Sequence, residues 1–445
     1  MKRIFLQLLL MLSVASLFAH TKARFHVIVD TDGGNGDMRA LCMMLADPEI
    51  EVIAITAVDG TLSPERTIAR VKSLLHTLGH EGIPVGGKST DEAAEMILHE
   101  TEMEEMPVDI VALGPLDNVT EAIGRLPGSS EKIRTIYWAF GDTRYGWITP
   151  ETVLGHPFIR MYFVRTEEEL WLDIDAFQEG LEKIGSRYAD AVAAQQLQAP
   201  STGADREASF RLLEEVAPMY MLHPEHFELQ PMNDEGHYRE ARLRSDSSVV
   251  PEILRILDGE QEDKSIVFKH FPTDTSLFEP DVAALAPDIL KRHGEKEWKI
   301  VVITNEFHEH LGIYSIVGAK MGLRAREYFN VGIDELTILS YAGLSPPLSC
   351  MNDGLQASTG ATLGHGTIKV SPDVLFPAAE FRFKDRQLKL SVKEEVRNEI
   401  REHVKYGVDT FGFETPAYWE YIRSLALKYW LDFSRFELFD AEESF

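Results

Sequence analysis

His26-Val27-Ile28-Val29-Asp30-Thr31-Asp32-Gly33-Gly34-Asn35-Gly36-Asp37 is the stretch on which the fold of this chain turns. Val27 to Val29 are β-branched and read as a short buried strand. The acids and glycines that follow form a loop, and the next residues carry a helical pattern with Leu41, Met44 and Leu45 on one face. After the Asp47-Pro48 break, Glu51 to Thr56 gives a second strand. A helix then starts with Ser63 as N-cap and Pro64 at its first position, and closes at Gly79. Val108 to Leu113 and Arg134 to Phe140 read as further buried strands, with Gly114-Pro115-Leu116-Asp117-Asn118 opening a helix between them. Such alternation predicts an α/β fold built on a mainly parallel sheet. Ligands then bind at the carboxyl ends of the strands, where Asp30, Asp32, Asp37, Asp117 and Asp142 gather.

Crowded carboxylates repel one another unless a hard cation neutralises them, and an oxygen-only donor set suits Ca2+. An EF-hand is excluded, because that loop needs Gly at its sixth position and Glu at its twelfth, where this chain has Asn35 and Leu41. A plainer alternative is that the acids cap the start of the helix.

Working outward, the 445 residues carry 44 Lys+Arg against 72 Asp+Glu, a formal charge of −28. That field disfavours nucleic acid and anionic lipid as partners and leaves small neutral or cationic ligands. With 44% hydrophobic and 26% charged residues the composition is that of a globular chain of two or three domains. The two cysteines, Cys42 and Cys350, exclude a disulfide-rich scaffold. At the amino end, Met1-Lys2-Arg3, the apolar Ile4 to Phe18, and Ala19 and Ala23 have the pattern of a cleaved signal peptide (residues 1–23). The run is shorter than the roughly 20 residues of a spanning helix. The expectation is an exported protein, periplasmic or extracellular, with no membrane attachment after cleavage.

The motifs Val29 to Asp37, Asp47 to Val52, Ala54-Ile55-Thr56-Ala57-Val58-Asp59-Gly60 and Ala112 to Asn118 occur in an order and spacing that resembles the inosine-uridine preferring nucleoside hydrolases, over about residues 24 to 185. The resemblance implies a Ca2+-dependent N-glycosidase acting on a nucleoside or ribosyl compound, and a homo-oligomer. It makes Asp32 the general base and a metal ligand, Asp37 a second ligand and Asp30 a supporting acid. Asp117 falls where a backbone carbonyl reaches the metal. The chain departs from the family pattern at Gly36, where an aspartate that holds ribose hydroxyls is usual, at Gly33 in place of proline, and at Thr61 in place of asparagine. No counterpart to the family's asparagine-rich segment is evident near Gly146-Trp147. His223-Pro224-Glu225-His226 and Asn233-Asp234 are weak substitutes for its late His-Asp pair.

In the middle of the chain, Ala208 to Val216 and Val249 to Leu257 read as helices, and the charged Asp258 to Lys264 as a linker. Lys299 to Thr304 then reads as a strand, and in an extended Asn305-to-Gly312 stretch His308 and His310 point the same way. A helix from Ile313 to Tyr328 presents a small-residue face of Gly318, Ala319, Gly322 and Ala325. Leu336 to Tyr341 is a strand, Ala379 to Val392 a hairpin around Lys384-Asp385, and Lys393 to Val404 a helix. His308, His310, Cys350 and His365 together suit Zn2+ or another borderline-soft transition metal. Phe307 to Leu311, Gly318 to Ala325, Ser349-Cys350-Met351-Asn352-Asp353 and Thr359 to Gly366 resemble the FmdE family, which takes its name from formylmethanofuran dehydrogenase. That resemblance implies an α+β metal domain with His308, His310 and Cys350 as ligands, His365 standing where a lysine is usual. Thr415 to Trp430 reads as a docking amphipathic helix.

The expected organisation is a signal peptide (1–23), a nucleoside-hydrolase-like domain (24–260), a boundary segment (261–295), an FmdE-like domain (296–410) and a helical extension (411–445). The expected function is hydrolysis of an N-glycosidic or related ribosyl bond. The alternative is a non-catalytic or differently catalytic transition-metal protein with a degenerate hydrolase domain.

Overall fold

The computed structural model describes residues 23–128, 130–139, 156–166, 170–194, 209–232, 237–244, 249–259 and 267–444. Residues 1–22 of the expected signal peptide, Asp142, Gly146-Trp147 and Asn233-Asp234, and most of the Asp258–Lys264 segment, lie outside them. The chain separates into two units that meet in sequence at Gly259/Glu260. No helix among the described residues is long and apolar enough to cross a membrane.

In the first unit β1 (Phe25–Thr31) lies in the interior of an eight-stranded sheet of order β3-β2-β1-β4-β5-β6-β10-β9. Its partners are β2 (Ile50–Ala57) on one side and β4 (Val108–Ala112) on the other, both parallel. β3 (Val85–Gly86), β5 (Ile133–Trp138), β6 (Arg160–Thr166) and β10 (Tyr238–Leu243) continue the parallel pairing. Only the edge strand β9 (Phe227–Pro231) runs antiparallel. The mainly parallel α/β architecture expected from the alternating motifs is therefore the one observed. Val27 and Val29 face a core built with Met38, Leu41 and Met44, whereas Ile28 faces a second core with Ile97, Val119 and Ile123. Successive side chains of a strand point to opposite faces, so a strand buried on both reads as an unbroken apolar run. The helix Pro64–Leu78 closes on Gly79 in the left-handed conformation, as its sequence indicates. The helix expected over Ala208–Val216 is not formed in its described part: Ser209–Arg211 forms β8 against β7 (Trp171–Asp173), and the helix Val216–Leu222 begins only afterwards.

The second unit has a five-stranded sheet, β12 (Ile368–Val370), β11 (Thr337–Ser340), β13 (Ala378–Phe383), β14 (Arg386–Val392) and β15 (Phe439–Ser444), in that spatial order. β11 and β12 are parallel and the remaining pairs antiparallel, which makes the unit α+β. The hairpin at Lys384-Asp385 and the helices Glu394–Phe411 and Pro416–Asp432 match the sequence reading. Lys299–Thr304 does not: it belongs to the helix Pro280–His308, which bends at Gly294 (φ 81°) and passes through the expected 295/296 boundary. Its apolar run has the composition of a strand. Burial at Trp298, Val301 and Asn305 follows the helical period instead, and Trp298 stacks on Trp430 with centroids 5.1 Å apart. Packing outweighs the weak β preference of that run.

Beneath this helix His293 is 3% exposed, and its Nε2–H donates to the Leu431 carbonyl at 2.9 Å. Burial pushes its pKa down to about 4, against the raising effect of Glu297 and with the lowering effect of Lys320 and Arg435. Between the unfolded value near 6.5 and about 4, the unfolded chain binds the extra proton. This unit should therefore lose on the order of 3 kcal/mol as pH falls through that window. Urea melts at pH 7 and pH 4.5 test it: His293→Gln should flatten the dependence, and an unchanged slope would exclude His293 as its source.

Candidate functional site

β1 delivers Asp30 and Asp32 to the carboxyl edge of the sheet, and the helix Asn35–Ala46 places Asp37 in its first turn. All three are buried: Asp30 is 0%, Asp32 3% and Asp37 2% exposed. The register sets Asp30 beside Thr56 of β2 and Ala112 of β4. Its Oδ1 accepts from Thr56 Oγ1 at 2.7 Å and from Asn118 Nδ2 at 2.9 Å, while its Oδ2 is buried without a hydrogen-bond partner. Burial pushes the Asp30 pKa up to about 7, with Asp117 and Asp32 adding repulsion.

Asp32 is fixed at both oxygens. Oδ1 accepts from the Gly34 N–H at 3.1 Å, and Oδ2 from the Thr61 N–H and Thr61 Oγ1, each at 3.1 Å. Thr61, standing where the family usually has asparagine, thus still holds this carboxylate. Gly60 is required for the approach, since a Cβ there would lie 2.5 Å from Asp32 Oδ2. Asp37 Oδ2 accepts from Thr31 Oγ1 at 2.5 Å and from the Asp32 N–H at 3.0 Å. Its burial and the adjacent Asp32 hold its carboxyl well above the usual carboxylate range.

Asp117 is exposed at the first residue of the helix Asp117–Arg125. The inward group of that turn is Asn118, which bridges Asp30 and the Ala57 carbonyl (2.9 Å each). Sequence reading missed Asn118, although it sits inside the Ala112–Asn118 motif. It also missed Glu214, whose Oε2 lies 1.9 Å from where a Gly36 Cβ would be. No local sequence signal points to Glu214. Among the described residues, three potential ligand atoms come within 4.8 Å of one another at His26–Glu51–Glu104 and at His223–Glu225–His226, neither among the four aspartates nor among His308, His310, Cys350 and His365. At the second cluster Arg255 Nη2 already reaches His223 Nε2 at 2.5 Å. The donor chemistry of Asp30, Asp32 and Asp37 nonetheless suits a hard cation: oxygen atoms alone, buried, with one Asp30 oxygen unpartnered.

In the second unit His308 ends its helix, and Glu309 in the left-handed conformation (φ 61°) turns the chain back. The two imidazoles therefore meet through a helix C-cap, not along an extended strand, with centroids 4.2 Å apart. Asp353 Oδ2 lies 2.7 Å from His308 Nδ1, and His308 Nε2 is buried with no hydrogen-bond partner. Cys350 precedes the helix Met351–Thr359; burial and then Asp353 push its thiol pKa up. Burial and His308 push the His310 pKa down. Asp353 thus acts on His308, His310 and Cys350 together, a role not read from the sequence even though the residue stands in the Ser349–Asp353 motif. Close helix contact makes this possible. Cβ atoms on Gly318 and Gly354 would lie 2.1 Å from the Met351 carbonyl and 2.2 Å from the Ser315 carbonyl, so the helices Ile313–Phe329 and Met351–Thr359 touch backbone to backbone. His365 Nδ1 lies 3.0 Å from Asp334 Oδ1 and its side chain is 42% exposed.

Comparison with known proteins agrees with this division. Residues 27–153 match the family model described as inosine-uridine preferring nucleoside hydrolase, and residues 307–423 match that of FmdE, molybdenum formylmethanofuran dehydrogenase operon. The chain thus joins a nucleoside-hydrolase-like unit to an FmdE-like unit. Curated relatives include the pyrimidine-specific ribonucleoside hydrolase RihA of Salmonella paratyphi B and of Salmonella typhi, each 29% identical over 157 residues, covering 28% of this chain and 50% of the relative. The chain therefore spans about half the length of the curated relatives it matches. Solved structures found similar include an inosine-guanosine nucleoside hydrolase (17% identity, TM-score 0.41, 53% of this chain and 98% of the other). Another is a purine-preferring ribonucleoside hydrolase from Gardnerella vaginalis (16%, TM-score 0.42, 53% and 97%).

Proposed function

We propose that the first unit hydrolyses an N-glycosidic bond of a nucleoside or related ribosyl compound at the aspartate site. The observation that carries this reading is the Asp32 carboxylate, fixed at both oxygens by Gly34 and Thr61 and set beside Asp37 at the carboxyl edge of the sheet. Asp32 accepts the proton of a water attacking the anomeric carbon; the C–N bond breaks and the base departs with its bonding electrons. Asp37 and Asp32 would hold Ca2+, with Asp30 behind them. A bound Ca2+ would supply a more acidic water and an anchor for sugar hydroxyls. Metal content by inductively coupled plasma mass spectrometry tests this directly. About one Ca2+ per chain is expected, lost in Asp37→Asn; no Ca2+ in the wild type would contradict it.

A second site is favoured by one specific feature, the orphaned Nε2 of His308 on a ring whose Nδ1 is held by Asp353. A carboxylate that orients an imidazole in this way is the usual support of a metal-bound histidine. We propose that His308, His310 and Cys350 hold Zn2+ or a similar ion beside a cavity of about 430 Å³ lined by His310, Leu311, Trp419 and Ile422. His308→Ala should remove that ion, and Asp353→Asn should weaken its binding about 10- to 100-fold. Transition-metal content unchanged in His308→Ala would exclude the site.

A further inference from the structure

We infer that His26, Glu51 and Glu104 form a further cation site, at the amino edge of the first unit's sheet, built for a structural divalent ion of the Zn2+ class. Three separate elements supply the ligands. His26 is the second residue of β1, the register sets Glu51 of β2 beside it, and Glu104 caps the carboxyl end of the helix Thr90–Met103. The site is independent of the aspartate chemistry, since six residues of extended chain put Asp32 about 20 Å away along the strand. Both strands are buried along their length, and Phe25, Val27, Ile50 and Val52 on either side of the pair are apolar. A polar pair set into such a run is costly unless it is matched by a partner charge or holds a metal.

His26, Glu51 and Glu104 are 2%, 4% and 3% exposed. His26 Nδ1 lies 3.6 Å from Glu51 Oε2 and 3.5 Å from Glu104 Oε1, and one ligand atom from each residue lies within 4.8 Å of the other two. Ligands about 2.0–2.2 Å from a tetrahedral ion stand about 3.3–3.6 Å from one another. An N–H···O bond is shorter, about 2.7–3.2 Å. The two measured separations are therefore those of a coordination polyhedron. Glu104 Oε1 also accepts from the Glu105 N–H at 2.9 Å and the Met106 N–H at 3.1 Å, which fixes this carboxylate as outer hydrogen bonds fix metal ligands. Asp109 of β4 is instead bound by Arg134 through Nε and Nη2. One imidazole with two carboxylates balances a divalent charge and suits a borderline ion, in contrast to the all-oxygen aspartate site. Such an ion ties two strands and a helix end together, so its binding free energy adds to the stability of the unit.

The experiment uses the full chain carrying His308→Ala, stripped of metal, resupplied with saturating Ca2+ and titrated with Zn2+ by isothermal calorimetry. One Zn2+ per chain should bind and raise the melting temperature of the first unit. Adding Glu104→Gln should weaken that binding at least about 100-fold, because losing a ligand costs more than disturbing the groups behind one. A second variant, His26→Leu/Glu51→Leu/Glu104→Leu on the same background, replaces the cluster with apolar side chains, which a buried sheet accepts, and should fold without metal and show no response to Zn2+. A His308→Ala chain that binds no Zn2+, or Zn2+ binding that is unchanged in either added variant, overturns the assignment and leaves the aspartate and His308 proposals standing. Zn2+ that binds without raising the melting temperature overturns the structural role.

Discussion

Asp32→Asn is expected to lower nucleoside hydrolysis by roughly 10²–10⁴-fold while leaving the unit folded. The substitution is nearly isosteric, so the interior β-strand and its flanking helices keep their packing. The carboxylamide is a poor proton acceptor, and its NH₂ cannot accept from the donors that now converge on both oxygens, the Gly34 N–H on one side and Thr61 on the other. The check is release of free base and reducing sugar, with circular dichroism to verify the fold. Activity within tenfold of wild type would remove Asp32 from the role of base.

The second large effect concerns stability. Glu297→Ala should destabilise the second unit by about 3–5 kcal/mol. Glu297 and Lys320 are both 0% exposed, with Lys320 Nζ 2.5 Å from Glu297 Oε1. Arg435 reaches Glu297 at 3.2 Å and pairs twice with Glu327 at 2.9 Å. Burial, aided by Arg435 and Arg292, already pushes the Lys320 pKa down against the pull of Glu297, so removing the carboxylate strands an ammonium in a dry interior. Replacing both members, Glu297→Met with Lys320→Met, should recover much of the loss, because the cost lies in the uncompensated charge. Chemical denaturation measures both; a single variant within about 1 kcal/mol of wild type would show that the pair contributes little.

Much of this architecture is legible in the sequence for a definite reason. A parallel strand buried on both faces must be a continuous β-branched run, as at Val27–Val29, and the turns that follow carry the acids that gather at the sheet edge. The helix at Ser63-Pro64 and the hairpin at Lys384-Asp385 are marked by their own end residues. The same reasoning fails at Lys299–Thr304, where an apolar β-branched run lies in a helix because Trp298 and Val301 face a partner distant in sequence. Local pattern pointed to Asp30, Asp32 and Asp37, which are buried together, and to Asp117, which is exposed, but not to the groups that hold the first three. Asn118 and Thr61 reach the aspartates from neighbouring turns of the fold, and Glu214 approaches Gly36 from a segment with no motif of its own. In the second unit the His308–His310 pair was recognisable, but Asp353 meets it only because Gly318 and Gly354 let two helix backbones touch.

The central claim is that the first unit breaks an N-glycosidic bond at its aspartate site. The most direct measurement is chromatographic assay of free base and ribose from a panel of purine and pyrimidine nucleosides, using full-length protein supplied with Ca2+. The account predicts equimolar base and ribose from at least one nucleoside, abolished by chelation and by Asp32→Asn. Folded, Ca2+-supplied protein that releases neither product from any of them would contradict it.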